Sequence, residues 1–109
     1  MRGAIYAATR EKGLSCLKSV IIIKSHCNVK CTRKVITKCD AFAEFEDGSI
    51  WRVLTCEASR RGFKWHECYI DRDLDPEIIA DIKYRAAPYN PFSSLSAPEI
   101  PLEERMHYF

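Results

Sequence analysis

Three aspartates at alternate positions, Asp71, Asp73 and Asp75, close the apolar run that ends Tyr69-Ile70 and open the segment Pro76-Glu77-Ile78-Ile79. A carboxylate at the end of a strand is a place to hold magnesium for nucleotide chemistry, but it needs a phosphate cradle and a second carboxylate beside it. The chain contains no G-x-x-x-x-G-K-[ST] pattern, and the residue after Asp71 is Arg72. Cysteine and histidine are the other reactive types. Cys27 and Cys31 have three residues between them, with His26 beside the first and Cys39 further on, and His66 and Cys68 alternate along a later stretch. Zinc asks for four such ligands, usually as two close pairs, and His66-Cys68 does not have that spacing. No nucleophile turn or oxyanion loop accompanies a cysteine, so Cys–His catalysis is not indicated. These residues lead to the expectation of no enzyme, no metal and no cofactor, with the six cysteines as unliganded thiols.

The charge pattern carries more. The chain has 109 residues and a net charge of +2, but the charges are split. Met1 to Cys39 holds nine basic residues against Glu11 alone, a net of +8, and the remainder sums to −6. Lys24, Lys30, Arg33, Lys34 and Lys38, joined by Arg60 and Arg61, form the basic candidates for contact with nucleic acid or an acidic partner. No aromatic residue interleaves the 24–38 cluster, so a base-stacking platform is not read there. Asp47, Asp71, Asp73 and Asp75 form the acidic candidates, able to imitate phosphates toward a basic channel of a partner protein. The longest aliphatic run, Val20 to Ile23, is too short to cross a bilayer, and no apolar stretch of signal-peptide length opens the chain. A cytoplasmic protein is expected, with reduced cysteines and no membrane partner.

The elements that must position these residues follow from local pattern. Residues 3–9, GAIYAAT, read as a buried strand ending at Thr9, a good N-cap. REKGLSCLKSV fits a short helix weakened by Gly13, and SVIIIK (19–24) reads as a strand because three isoleucines follow one another. Residues 25–34 read as an exposed loop. Asp47-Gly48 marks a two-residue hairpin in which Phe45 faces Ile50 and Ala43 faces Arg52. Ala41, Ala43 and Phe45 then share the buried face, opposite Phe42, Glu44 and Glu46. FKWHECYID (63–71) reads as a strand, and Asp75-Pro76 caps and starts a helix with Ile78, Ile79 and Ile82 toward the core. Residues 1–86 are expected to form one domain and 87–109, rich in Pro and Ser, an extended and partly disordered tail. The expected fold is α+β, with a small α/β arrangement also open. A sheet of four or five strands with the hairpin at its centre is covered by helices near 10–18 and 76–86.

The order GAIYAATREKGLSCL, AFAEFEDGSIWRVL, SRRGFKWHECYIDRDLDPEII resembles the middle of the ATPase domain of phage terminase large subunits. The pieces that carry the likeness are Ala8-Thr9-Arg10, Phe45 with Asp47-Gly48-Ser49, Arg61-Gly62, and Tyr69-Ile70-Asp71. The resemblance implies a Walker B strand ending at Asp71. The missing phosphate loop, and Arg72 where the family has a second acid, imply a chain with the hydrolysis chemistry removed. In size and character the chain is also similar to anti-CRISPR proteins. The expectation is a non-enzymatic phage or mobile-element protein that binds and inhibits a host protein, first among them the RNA-guided nuclease of a type II system or its guide complex. The alternative is a nucleic-acid-binding accessory protein of the packaging type.

Overall fold

The computed structural model describes residues 1–38, 40–55, 63–89 and 99–109. Among these residues six strands form one mixed sheet in the order β2-β3-β4-β1-β5-β6. β1 (Arg2–Tyr6) is central and runs parallel to β4 (Ile50–Leu54) on one side and β5 (Glu67–Ile70) on the other. β2 (Cys31–Ile36) and β3 (Ala41–Phe45) extend the sheet beyond β4 as antiparallel neighbours, and β6 (Met106–Tyr108) extends it beyond β5 in parallel. Three helices accompany the described strands: α1 (Arg10–His26), α2 (Pro76–Tyr84) and the single turn α3 (Leu102–Arg105). The fold is α+β, as the sequence indicates. Among the described residues no helix is long and apolar enough to cross a membrane.

β1 reads as a continuous apolar run because both its faces are buried. Ile5 faces α1, in a core with Cys16, Leu17, Val20, Ala43, Phe45 and Trp51. Ala4 and Tyr6 face the opposite core, with Leu54, Trp65, Cys68, Ile70, Ile82 and Met106. The Trp65 indole N–H donates to the Ile82 carbonyl at 2.7 Å and ties α2 to the sheet. Two glycines set how closely these layers approach. A Cβ on Gly3 would lie 2.1 Å from the Trp51 ring, and one on Gly13 would lie 2.4 Å from the Val53 Cγ1. Gly13, unfavourable to a helix by about 1 kcal/mol on propensity alone, is what lets α1 settle onto β4.

Residues 19–24 are helical, which corrects the expected strand. Gly13, Cys16, Leu17 and Val20 are the buried residues of α1, and that helical spacing on the sheet outweighs the β preference of three isoleucines. Ile22 and Ile23 remain half exposed. Thr9 caps the helix as expected, its hydroxyl oxygen accepting from the Lys12 N–H at 3.3 Å. The expected loop over 25–34 is shorter, since its last four residues belong to β2. The sheet has six strands rather than four or five because both ends gained one.

The hairpin also differs by one residue. Ala43 pairs with Trp51 and Phe42 with Arg52. The Phe45 N–H donates to the Ser49 carbonyl, leaving a three-residue loop in which Gly48 takes φ 87°. A two-residue turn of the expected type needs positive φ at Asp47 as well. Gly48 alone supplies it, so the loop closes as a turn plus bulge.

The end of the segment expected to be an extended tail returns to the body. β6 pairs with β5 through Cys68–Met106, Tyr69–His107 and Ile70–Tyr108. Arg105 is buried, donating to the carbonyls of His66 at 3.2 Å and Ala87 at 2.8 Å, with its guanidinium 5.7 Å from the Trp65 ring centroid. Composition pointed to disorder, but one anchored arginine and a short strand outweigh it over these residues.

Candidate functional site: a filled carboxylate and a basic sheet edge

The β1–α1 turn and the end of β5 lie side by side because β1 and β5 are parallel neighbours. Asp71, the first residue after β5, is buried there. Its carboxylate accepts from the backbone N–H of Ala8 at 2.9 Å and of Asp73 at 2.9 Å, and the Lys12 ammonium stands 3.4 Å away. Lys12 also pairs with Asp73. Burial by itself would raise the Asp71 carboxyl; the hydrogen bonds from Ala8, Asp73 and Lys12 outweigh it and hold the group below its ordinary value. Lys12 is shifted upward, first by its bond to Asp73 and against a smaller desolvation effect. The place where the sequence suggests a magnesium carboxylate therefore holds an ammonium and two backbone donors.

The groove beside this pair has a volume of about 290 Å³ and is lined by Lys12, Ser15, Cys16, Tyr69, Asp71 and Phe109. Its thiol is a poor nucleophile, because burial pushes Cys16 up to about 12. Asp75 occupies the N-cap position of α2, without a side-chain capping bond, and is exposed.

Asp47 is not part of this cluster. It sits in the β3–β4 loop, at the end of the sheet where β1 and β4 begin, whereas Asp71 lies where β1 and β5 finish. About a strand length, roughly 15 Å at 3.3 Å per residue, separates the two ends. There the Asp47 carboxylate accepts from the Ser49 N–H at 2.9 Å and the Ser49 hydroxyl at 2.6 Å, and pairs with Lys24 at 2.8 Å. Burial acts to raise it, but Lys24 and Ser49 lower it to about 2. The four acidic candidates thus form no single surface, and Asp47, Asp71 and Asp73 are already partnered.

The basic candidates sort the other way. Lys24 is committed to Asp47, and its ammonium lies 5.6 Å from the Phe45 ring centroid. Lys30, Arg33, Lys34 and Lys38 are exposed and lie on β2 or its immediate flanks, along an end of the sheet. Arg33 has a loose pair with Glu44 at 3.9 Å, while Lys30, Lys34 and Lys38 have no ion pair among the described residues. Arg60 and Arg61 lie outside the described residues. The structure adds residues that the sequence reading passed over. Phe42, on the face of β3 away from α1, has the Arg33 guanidinium 5.6 Å and the Arg52 guanidinium 4.6 Å from its ring centroid. Arg52 is held there by Asp40 at 2.5 Å. Strand alternation had already placed Phe42 on the solvated face; its cationic neighbours appear only once β2, β3 and β4 are paired. Lys12 had no signal at all, because its partner is 59 residues away in sequence.

No group of three or more His, Cys, Asp or Glu side chains among the described residues is arranged to hold a metal ion. His66 is used structurally: its Nδ1 accepts from the Arg2 N–H at 2.8 Å, and burial, reinforced by nearby positive charge, lowers its pKa. Cys68 is buried in the core beneath α2, and burial raises its thiol pKa. In comparison with known proteins, no family model, no curated protein and no solved structure matches the chain.

Proposed function

We propose that this chain is a non-catalytic binding protein that acts on a partner through the basic edge of its sheet. One observation carries the reading. The carboxylate in the catalytic-looking position, Asp71, is consumed by Lys12 and two backbone donors, whereas the lysines on and beside β2 face outward without internal counter-charges. A charge that the fold neutralises positions the chain; a charge that it leaves open is available to a partner. The partner class is a host protein that carries or binds nucleic acid, and the case to test first is an RNA-guided nuclease or its guide complex, inhibited by a small phage or mobile-element protein. The experiment is co-purification with a tagged nuclease together with a DNA-cleavage assay. Binding with dose-dependent loss of cleavage is expected. Undiminished cleavage at excess protein, with no co-purification, overturns the inhibitor reading.

A second reading, direct nucleic-acid binding, is favoured by the Arg33–Phe42–Arg52 stack beside the same lysines, since an aromatic ring among cations suits bases and phosphates together. It predicts affinity that falls steeply with salt. Binding to DNA or RNA no better than about millimolar at low salt excludes it, since non-specific binding is typically about 100 to 1 μM even at physiological salt.

A further inference from the structure

Among the described residues β2 is an edge strand, and its hydrogen-bonding phase can be read from its turn. The Thr37 N–H donates to the Asp40 carbonyl at 2.8 Å, so Thr37 and Asp40 stand at a bonded-pair position, with the Asp40 N–H turned to the Thr37 hydroxyl. In an antiparallel ladder such pairs alternate with non-bonded ones. Val35–Phe42 is then bonded and Ile36–Ala41 and Lys34–Ala43 are not, in the observed register. The backbone N–H and C=O of Lys34 and Ile36 therefore point away from β3, out of the sheet.

The side chains of these same two residues line a groove of about 360 Å³ between β2 and α1, with Leu14, Leu17, Ile21, Lys18 and one acid, Glu11, on the helix side. Ile36 is 50% exposed there. Free backbone groups and an apolar groove in which Lys18 and Lys34 outnumber Glu11 thus share one edge. A second copy of the chain does not suit it. Antiparallel self-pairing would oppose Arg33, Lys34 and the flanking lysines to one another, and lysine at an edge is a usual guard against that. An acidic strand meets the opposite condition, because Lys18, Lys30, Lys34 and Lys38 lack ion-pair partners among the described residues.

We propose that the free edge of β2 docks an extended acidic segment of a partner protein. The segment adds a strand through the backbone of Lys34 and Ile36, places apolar side chains in the α1–β2 groove, and sets carboxylates against Lys18, Lys34 and Lys38. The inference rests on the reading of the chain as a binding protein and names the chemistry of the partner's contact.

The test uses the full chain and three fluorescent probes: a capped peptide alternating Glu and Val, the same peptide N-methylated at alternate residues, and an oligouridine RNA. Anisotropy titration at low salt is expected to show saturable binding of the Glu-Val peptide. N-methylation is expected to weaken it about tenfold or more, because the charges remain while strand addition is blocked. Ile36→Pro removes an N–H that faces outward, which an edge strand tolerates, and is expected to cause a similar loss with an unchanged circular dichroism spectrum; Ile36→Val serves as the side-chain control and keeps binding. Equal affinity for the methylated and unmethylated peptides overturns the proposal, as does an Ile36→Pro protein that is folded and binds normally. Binding of the RNA with none of the peptide overturns it in favour of a phosphate surface. The outcome is separable from the nuclease test: if Ile36→Pro still co-purifies with and inhibits the nuclease, the functional reading stands and the edge inference falls. If the peptide binds but the nuclease does not, the reverse holds.

Discussion

Replacing Asp71 by alanine tests whether this carboxylate is structural. The side chain is 1% exposed as a residue and holds together two segments 63 positions apart, the β1–α1 turn and the β5–α2 turn. Its removal leaves the Ala8 and Asp73 N–H groups without an acceptor, at about 1–3 kcal/mol each for a partly buried donor. Lys12 adds little, because its side chain is 42% exposed and water replaces the lost partner. The sum is about 4 kcal/mol, a large part of the roughly 5–15 kcal/mol by which a domain is stable. Lys12→Met should therefore cost far less than Asp71→Ala, and Asp71→Asn, which keeps one carbonyl oxygen, about 2 kcal/mol.

Urea unfolding followed by Trp51 and Trp65 fluorescence measures these losses. The pH dependence adds a second check. Asp71 is held below its ordinary value, so its contribution is fully present above the unfolded carboxyl value of about 4 and is lost as pH falls through the folded value. The gap between wild type and Asp71→Ala should be constant from neutral pH down to about 5 and narrow below about 4. A loss under about 1 kcal/mol, or a gap that does not narrow with acid, would refute the structural assignment. A magnesium-dependent activity abolished by Asp71→Asn, with stability unchanged, would return the residue to catalysis.

Three further outcomes follow from the same structure. Gly13→Ala should destabilise by about 1–3 kcal/mol despite the better helix former, since its Cβ meets Val53, and Val53→Ala in the same chain should recover part of the loss in a thermal melt. Deleting 106–109 should lower stability by about 3 kcal/mol, from the buried Met106 and the lost pairing along β5; an unchanged melting temperature would show that β6 is dispensable. A thiol reagent at neutral pH, read by peptide mapping, should label exposed Cys27 before Cys16 and Cys68, whose labelling should require unfolding.

Much of the fold was legible in local pattern. Unbroken apolar residues marked β1 as buried, Thr9 and Pro76 marked where helices start, and alternation sorted Ala41, Ala43 and Phe45 from Phe42 and Glu44. These are short-range effects, and the residues that produce them are neighbours in sequence. The misreadings occurred where a distant contact decides. Val20 and the isoleucines beside it are helical because the sheet offers α1 a surface to cover, and the last residues form β6 because β5 leaves an edge and Arg105 an anchor.

The candidate site divides in the same way. Residue types and charge asymmetry singled out Asp71 and the lysines of 24–38 without any structure. Only the tertiary arrangement paired Asp71 with Lys12, moved Asp47 to the other end of the sheet, and left Lys30, Lys34 and Lys38 beside an open edge. A charge's role depends on what lies within a few ångströms of it, and for these residues that neighbour comes from a distant part of the chain.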